Sequence, residues 1–304
     1  MRGKYGLILV LVALLLLGAL SCQPSTSSPK KSIVVTYSIL GSIVKELAGD
    51  KMTVTVSIPN GLDPHEWEPS AKDRESINRA SLVIENGLGL EEGMEKTLAA
   101  ARSNGVKFFT ASDYITVRHV GPGEGIPSGD PDQVIGAPDP HFWMDPITMK
   151  SVVSALAPAI MQDLKLDITN QATNLENRLD ILNNEVANTV AQIPQEDRKL
   201  VTGHESMGYF AQRYGFQLAG VIIPSLSSQA GVSAADLAAL KKAIQNNQVK
   251  AIFIELGTSP AVAKAIGDET GVKVIQLTTH VLPADGSYST FMKDVATVIT
   301  NALK

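Results

Sequence analysis

Two copies of the tripeptide Asp-Pro-His carry the clearest chemical signal in the sequence. They end at His65 and His141, each leads to a tryptophan two residues later, and the 304-residue chain holds only five histidines. Proline fixes its own φ and keeps the preceding residue out of the α region, so each histidine lies on a stiff, non-helical segment. A rigid loop that presents an imidazole beside a carboxylate suits a metal ligand with a supporting partner. The alternative is two proline turns whose histidines face solvent.

Two further histidines stand where predicted strands give way to loops. His204 follows a β-branched run in the second half of the chain, and His280 follows the last such run. His119 lacks such a setting, and we expect it at the surface. Four histidines at equivalent places, two from each half, predict one metal site in the cleft between the halves.

The residue types indicate which metal this site would take. Imidazole suits Zn²⁺, Cu²⁺ or Fe²⁺, whereas Mn²⁺ prefers oxygen ligands. Four nitrogen atoms at ~2.0–2.1 Å from the ion would form a closed tetrahedral zinc site. The carboxylates of Asp63, Asp139 and Glu205 are placed to balance the ion's charge from behind the ligands, although each could equally be a solvated loop residue. Because bound imidazoles must be neutral, we expect zinc affinity to fall steeply below about pH 6.

The elements that must position these residues form two similar series. Strands that alternate with helices favour parallel sheets covered on both faces, with ligands beyond the carboxyl ends of the strands. We therefore predict an α/β fold of two Rossmann-like αβ lobes. The predicted strands are 32–37, 52–59, 81–87 and 106–112 in the first lobe, and 199–205, 216–224, 249–257 and 272–279 in the second.

A long helix is predicted between the two series. Within 169–195, apolar residues recur at spacings of three and four, which is one apolar stripe on a helix of roughly 35 Å. We interpret it as a connector between an N-terminal lobe at 32–168 and a C-terminal lobe at 196–304; the alternative is an ordinary core helix. The stripe consists of Leu175, Leu179, Leu182, Val186 and Val190.

The N-terminus indicates export. Residues 1–21 join a short basic start to an apolar run too short to span a membrane, which is typical of a signal peptide. Cys22 lies where a bacterial lipobox has its lipidated cysteine, with Ala19 at a place that usually holds leucine; the alternative is a free thiol after ordinary cleavage. Residues 22–31 are polar and Pro/Ser-rich, and we expect a flexible tether.

Composition excludes several other classes of protein. The net charge is −5 and there is no basic tract, which argues against nucleic acid as a partner. A single cysteine excludes both an intramolecular disulfide and a multi-cysteine metal site. The Gly/Pro/Asp-rich loop at 121–138 holds no histidine, so we assign it no ligand role.

Several stretches resemble the signatures of the metal-binding solute receptors of bacterial zinc/manganese ABC importers. The resemblance extends from about residue 32 to the C-terminus, apart from the 121–138 loop, and it is carried by DPHEWEPS, DPHFWMDP, TGHESMGYFAQRYG and FIELGTSPAVAKAIGDETGVKV. It implies two αβ lobes joined by one long helix, with a divalent ion held between them for delivery to a membrane permease driven by a separate ATPase. We expect a monomer, lipid-anchored at the outer face of the cytoplasmic membrane or in the periplasm.

The resemblance also assigns ligands position by position. His65 and His141 match the two ligands of the N-terminal lobe, and His204 matches a third that is histidine in zinc-type members and often glutamate in manganese-type ones. The fourth is usually an aspartate after the last strand; here His280 takes that place and Asp285 is its rival. We predict Zn²⁺ as the cargo, with Mn²⁺ as the alternative.

Two other functions stay open at this point. A secreted zinc hydrolase would need a motif such as H-E-x-x-H, but Gly208 and Pro69 stand where the second histidines would fall. A catalytic zinc would also keep one position open for water. Adhesion has been credited to lipid-anchored receptors of this family, although nothing in the sequence indicates a surface for a protein partner.

Overall fold

Two four-stranded parallel sheets, one in each half of the chain, carry the loops that hold the histidines. The computed structural model describes residues 31–121, 124 and 135–304. Aliphatic and β-branched runs form the strands, and the central strands are buried along nearly their whole length, as expected when helices cover both faces. The predicted α/β architecture is confirmed.

The first sheet has its first and third strands at the centre. Its strand order is second, first, third, fourth, and Val35 of the first strand lies opposite Val56 on one side and Ile84 on the other. Two short 3-10 turns, Glu92–Met94 and Ala111–Tyr114, accompany it. The elements of this half are β1 (Ser32–Tyr37), α1 (Ser38–Ala48), β2 (Thr53–Ile58), α2 (Ala71–Asn78), β3 (Leu82–Glu85), α3 (Glu95–Ser103) and β4 (Phe108–Thr110).

Two long helices follow the second Asp-Pro-His loop. A 3-10 turn, Phe142–Met144, leads into α4 (Pro146–Leu164), which begins where the Asp145 carboxylate accepts from the Ile147 backbone N–H. Proline at the first helical position suits this start. The linking helix α5 (Thr169–Val190) packs along α4, and its predicted apolar stripe is buried.

The second half repeats the strand order of the first. Its sheet again runs second, first, third, fourth, with all pairs parallel. A 3-10 turn, Gln195–Asp197, precedes it. Its elements are β5 (Lys199–Thr202), α6 (Gly208–Tyr214), β6 (Gln217–Val221), α7 (Ala234–Asn246), β7 (Ala251–Ile254), α8 (Pro260–Thr270), β8 (Lys273–Gln276) and α9 (Tyr288–Leu303).

The linking helix is also part of the core. Helices α1 and α9, from opposite halves, both pack on α5. One hydrophobic cluster therefore includes buried residues of both halves, such as Ile33 in β1 and Phe253 in β7, and a smaller cluster lies within the second half. The long helix connects the sheets and fills the space beside them, while the predicted lobe boundaries stay a prediction.

Seven of the eight strands end one to three residues earlier than predicted, and the early end of β5 moves His204 out of the predicted strand into a loop. Strand β5 ends at Thr202 because the next backbone groups bind side chains: the Thr202 hydroxyl donates to the His204 carbonyl at 2.7 Å, and the His204 N–H donates to Glu255 at 3.1 Å. Strand β8 ends at Gln276, four residues before His280. The loops, rather than the strands, therefore set the direction of both imidazoles.

Some predictions fall on residues outside the described ranges. They concern the signal peptide at 1–21, the lipidated Cys22, all but the last residue of the tether at 22–31, and most of the 121–138 loop. Within the ranges that are described, every helix is too short or too polar to cross a membrane.

Candidate metal centre

Four histidines from four separate loops meet at one buried point. His65 follows β2, His141 precedes the turn into α4, His204 follows β5 and His280 follows β8. One ring nitrogen from each lies within 4.8 Å of the others. All four side chains are at most 4% exposed. The structure thus brings together the four residues that the sequence singled out, two from each half.

Two of the distances between ring nitrogens match the edge of a zinc tetrahedron. Nε2 of His141 lies 3.4 Å from Nε2 of His65 and 3.2 Å from Nε2 of His204. Zn–N bonds of ~2.0–2.1 Å in a tetrahedron place nitrogen atoms about 3.3–3.4 Å apart. Nε2 of His280 is buried without a hydrogen-bond partner among the described residues. A buried polar atom without a partner is costly, and a bound cation would satisfy it.

The other nitrogen of each ring lies against a protein oxygen atom. Such a contact fixes the ring's orientation and leaves Nε2 free of its proton, as a metal ligand requires. Three of the four Nδ1 atoms are hydrogen-bonded to their partners, whereas Nδ1 of His204 makes an ion-pair contact at a comparable distance without hydrogen-bond geometry. The pairs are His65 with Glu92 Oε1 at 3.1 Å, His141 with Asp139 Oδ1 at 2.9 Å, His204 with Glu255 Oε1 at 2.9 Å and His280 with Thr279 Oγ1 at 2.8 Å.

The two Asp-Pro-His loops share one local turn. Asp63 and Asp139 each accept from the backbone N–H of the histidine two residues on, at 3.0 and 2.9 Å. Such Asx-type turns fix the backbone just where the ring must point. The two carboxylates then differ, since Asp139 also contacts the His141 ring, whereas the other oxygen of Asp63 accepts from Ser228 Oγ at 2.7 Å.

The remaining predicted residues lie in different places. Glu205 is buried, and its backbone N–H donates to the Ser225 carbonyl at 2.9 Å. Asp285 is exposed and serves the start of α9, where it accepts from the Ser287 N–H at 3.0 Å and the Thr290 hydroxyl at 2.7 Å. These bonds commit the Asp285 carboxylate to the start of α9, and Asp285 is not part of the histidine cluster.

Glu255 is a central residue that the sequence reasoning missed. Its carboxylate lies beside His204 Nδ1, accepts from the Ser206 hydroxyl at 2.8 Å, and accepts from the Thr279 hydroxyl. Because the Thr279 hydroxyl donates its proton to Glu255, its oxygen can accept a hydrogen bond from Nδ1–H of His280. One buried carboxylate therefore orients both histidines of the second half. Its position directly after β7, at the carboxyl edge of the sheet, was the available signal.

Glu92 was missed as well. It belongs to the 3-10 turn after β3, and it reaches back 27 residues in the chain to His65. Its side chain is 42% exposed, so this imidazole has a partner that solvent can reach. No motif in the sequence marks it, because acidic residues are common in surface turns.

Burial and mutual repulsion keep two of the rings neutral. Burial lowers the pKa of His141 well below its usual range, and the nearby His204 lowers it further. Burial likewise lowers the pKa of His280 to about 3. Both rings are therefore ready to bind a cation at neutral pH without first losing a proton.

The carboxylates around the rings differ in the direction of their pKa shifts because their surroundings differ. Burial alone would raise the pKa of Glu255, but His204 and the other donors hold it well below its usual range. The hydrogen bond from His65 lowers the pKa of Glu92. Burial raises the pKa of Asp139 to about 6, although Arg118 opposes that rise from 3.0 Å. Ionised Glu255 and Glu92 supply negative charge close to where a divalent ion would lie.

His204 makes metal binding depend on pH. Burial opposes its protonation, yet the Glu255 carboxylate raises the pKa of His204 above 6.5, so the metal-free ring is mostly protonated at pH 6.5 and below. Zinc must displace that proton, and we expect this ring to cost about tenfold in zinc affinity for each pH unit below its raised pKa. Chelator competition between pH 5 and 8, with calorimetry in two buffers to count released protons, measures this. An affinity that stays constant from pH 7 to 5 would contradict it.

Comparison with known proteins gives a consistent set of similarities. The sequence matches the family described as "ZnuA: Zinc-uptake complex component A periplasmic" over residues 33–302. It is 27% identical over 308 residues to the manganese ABC transporter substrate-binding lipoprotein PsaA of Streptococcus pneumoniae, covering 95% of this chain and 96% of that protein. It is 30% identical over 277 residues to the zinc-binding lipoprotein AdcA of Streptococcus pneumoniae serotype 4, covering 89% of this chain and 54% of AdcA.

The fold is shared with solved structures. The periplasmic zinc binding protein TroA from Treponema pallidum superposes with a TM-score of 0.75 at 24% identity, covering 90% of this chain and 99% of TroA. At that identity the likeness shows the arrangement of the sheets and helices. It agrees with the two-sheet architecture described above.

Proposed function

We propose a function for this chain, which belongs to the ZnuA family of periplasmic zinc-uptake components. The protein is the extracytoplasmic solute-binding component of an ABC importer for a divalent transition metal. The metal is transported cargo. The family is a transport family rather than an enzyme family, and the hydrolase alternative gains no support from the relatives.

One observation supports zinc as the cargo: one ring nitrogen from each of four buried histidines lies within 4.8 Å of the others, and each Nδ1 contacts a protein oxygen atom. One relative is named for manganese and another for zinc, so the choice between the two metals must come from the ligand residues of this chain. Manganese favours oxygen donors and higher coordination, whereas four imidazoles suit Zn²⁺. We propose that His65, His141, His204 and His280 bind Zn²⁺, with Mn²⁺ as a weaker alternative.

The protein works with other components of the importer. A solute-binding component of this kind delivers its cargo to a membrane permease, and an ATPase supplies the energy. The sequence contains no P-loop, in agreement with that division of labour. We further propose that the exported chain acts as a monomer anchored to the membrane through a lipid on Cys22.

Metal competition tests this function. The purified chain, stripped of metal and dialysed against equal concentrations of Zn²⁺ and Mn²⁺, is expected to retain about one zinc per chain and little manganese, because of the all-nitrogen ligand set. Elemental analysis by mass spectrometry measures both metals. Retention of manganese in preference to zinc would contradict the zinc assignment, and retention of neither would contradict the proposed function.

A further inference from the structure

A cavity open to solvent adjoins the histidine cluster on one side. Its volume is about 390 Å³, and its walls come from both halves of the chain, with His65 and Glu92 from the first half and residues 225–227, 229 and 230 from the second. His65 is the one cluster histidine that lines it. Because all four rings are nearly inaccessible, an ion cannot reach the cluster unless some side chain moves.

The partner of His65 differs from the partners of the other three rings. Asp139, Glu255 and Thr279 are at most 4% exposed, whereas the side chain of Glu92 is 42% exposed and lines the cavity. Among the described residues that line the cavity, Glu92 is the one carboxylate. A carboxylate oxygen is itself a good zinc ligand, at ~2.0–2.2 Å.

The His65 ring stands between this cavity and the cluster. Its Nδ1 faces Glu92 at 3.1 Å, and its Nε2 faces Nε2 of His141 at 3.4 Å. The backbone of His65 is held on both sides, since its N–H donates to Asp63 and its carbonyl accepts from Gln229 Nε2. The side chain is therefore the part that can turn while the loop stays in place.

We propose that Glu92 is the capture ligand for the incoming ion: the metal binds its carboxylate in the cavity and passes to the cluster as the His65 ring turns aside. This rests on the proposed function, since it presumes that the cluster binds metal. His65 is then the last of the four ligands to engage and the first to release. Ser227 lines the same cavity, so the capture position lies beside the second half of the chain.

Stopped-flow kinetics with Zn²⁺ test the capture role. Glu92→Gln removes the charge and the ligand oxygen pair but keeps the shape, and we expect the association rate constant for Zn²⁺ to fall about tenfold or more. Glu92→Asp keeps the carboxylate and should restore much of the rate. Glu95→Gln is the matched control: it makes the same change three residues away, at an exposed position that does not line the cavity.

The outcomes separate capture from simple support of the His65 ring. A carboxylate that only oriented the ring would leave the association rate of Glu92→Gln equal to that of Glu95→Gln, and any lost affinity would come from faster dissociation. That result would overturn the proposal. Absence of zinc binding by the unmutated chain would instead contradict the proposed function and remove the basis for the capture step.

Discussion

Replacement of His280 by alanine is expected to weaken zinc binding by roughly 10²–10³-fold, as estimated from about 10–16 kcal/mol for a four-ligand zinc site shared among its ligands. The physical reason is that Nε2 of His280 is buried without a hydrogen-bond partner, so its lone pair is available to bind a zinc ion. Competition with a chromophoric chelator at pH 7.5 measures the loss. Thermal unfolding of the metal-free variant checks that the fold is retained.

Two control variants make this result specific. Asp285→Ala removes the rival ligand, and we expect zinc affinity to stay unchanged because the Asp285 carboxylate is exposed and bound to the start of α9. His119→Ala removes the fifth histidine, which lies outside the cluster and whose backbone pairs with Pro138. A large loss of affinity in Asp285→Ala, with little in His280→Ala, would reverse the assignment of the fourth ligand.

Glu255→Gln is expected to weaken zinc binding by about 10–100-fold, the usual cost of losing a group that orients metal ligands. The amide cannot accept from the His204 ring and the Thr279 hydroxyl as the carboxylate does, so both histidines of the second half lose their fixed tautomer. The same variant should lower the pKa of His204, because the Glu255 carboxylate raises it. Proton release on zinc binding near pH 6.5 should therefore decrease, which calorimetry in two buffers detects.

Asp268→Asn provides the control for this charge change. Asp268 is 66% exposed on α8 and pairs with Lys264, so it takes no part in the contacts described for Glu255. Thr279→Val tests the two contacts of Glu255 separately. It should weaken the orientation of His280, which depends on Thr279, while leaving the contact between Glu255 and His204 intact. If Glu255→Gln bound zinc as tightly as Asp268→Asn and released the same number of protons, Glu255 would have no orienting role.

Much of this fold could be predicted from the sequence because its signals are local. β-branched runs alternating with amphipathic stretches require parallel strands covered by helices, and the apolar stripe of α5 is visible in the spacing of its leucines. The ends of strands were less predictable. Strand β5 ends at Thr202, whose hydroxyl donates to the His204 carbonyl, and the residue types of the strand do not predict that hydrogen bond.

Some residues of the site could likewise be predicted from the sequence, and others could not. The histidines could be found because proline turns and strand ends mark their positions, and strand ends in parallel sheets gather at one edge. Glu255 and Glu92 could not, because their roles depend on contacts across 51 and 27 residues of chain. Asp285 shows the converse, since its place in the chain matched a family pattern while its hydrogen bonds commit it to α9.

The central claim is that four imidazoles, two from each half of the chain, bind one zinc ion. X-ray absorption at the zinc edge of the loaded protein tests it most directly. We predict a single shell of about four nitrogen atoms at ~2.0–2.1 Å, with the outer-shell scattering typical of imidazole rings. A shell of five or six light atoms at longer distances, or one with two imidazoles or fewer, would contradict it.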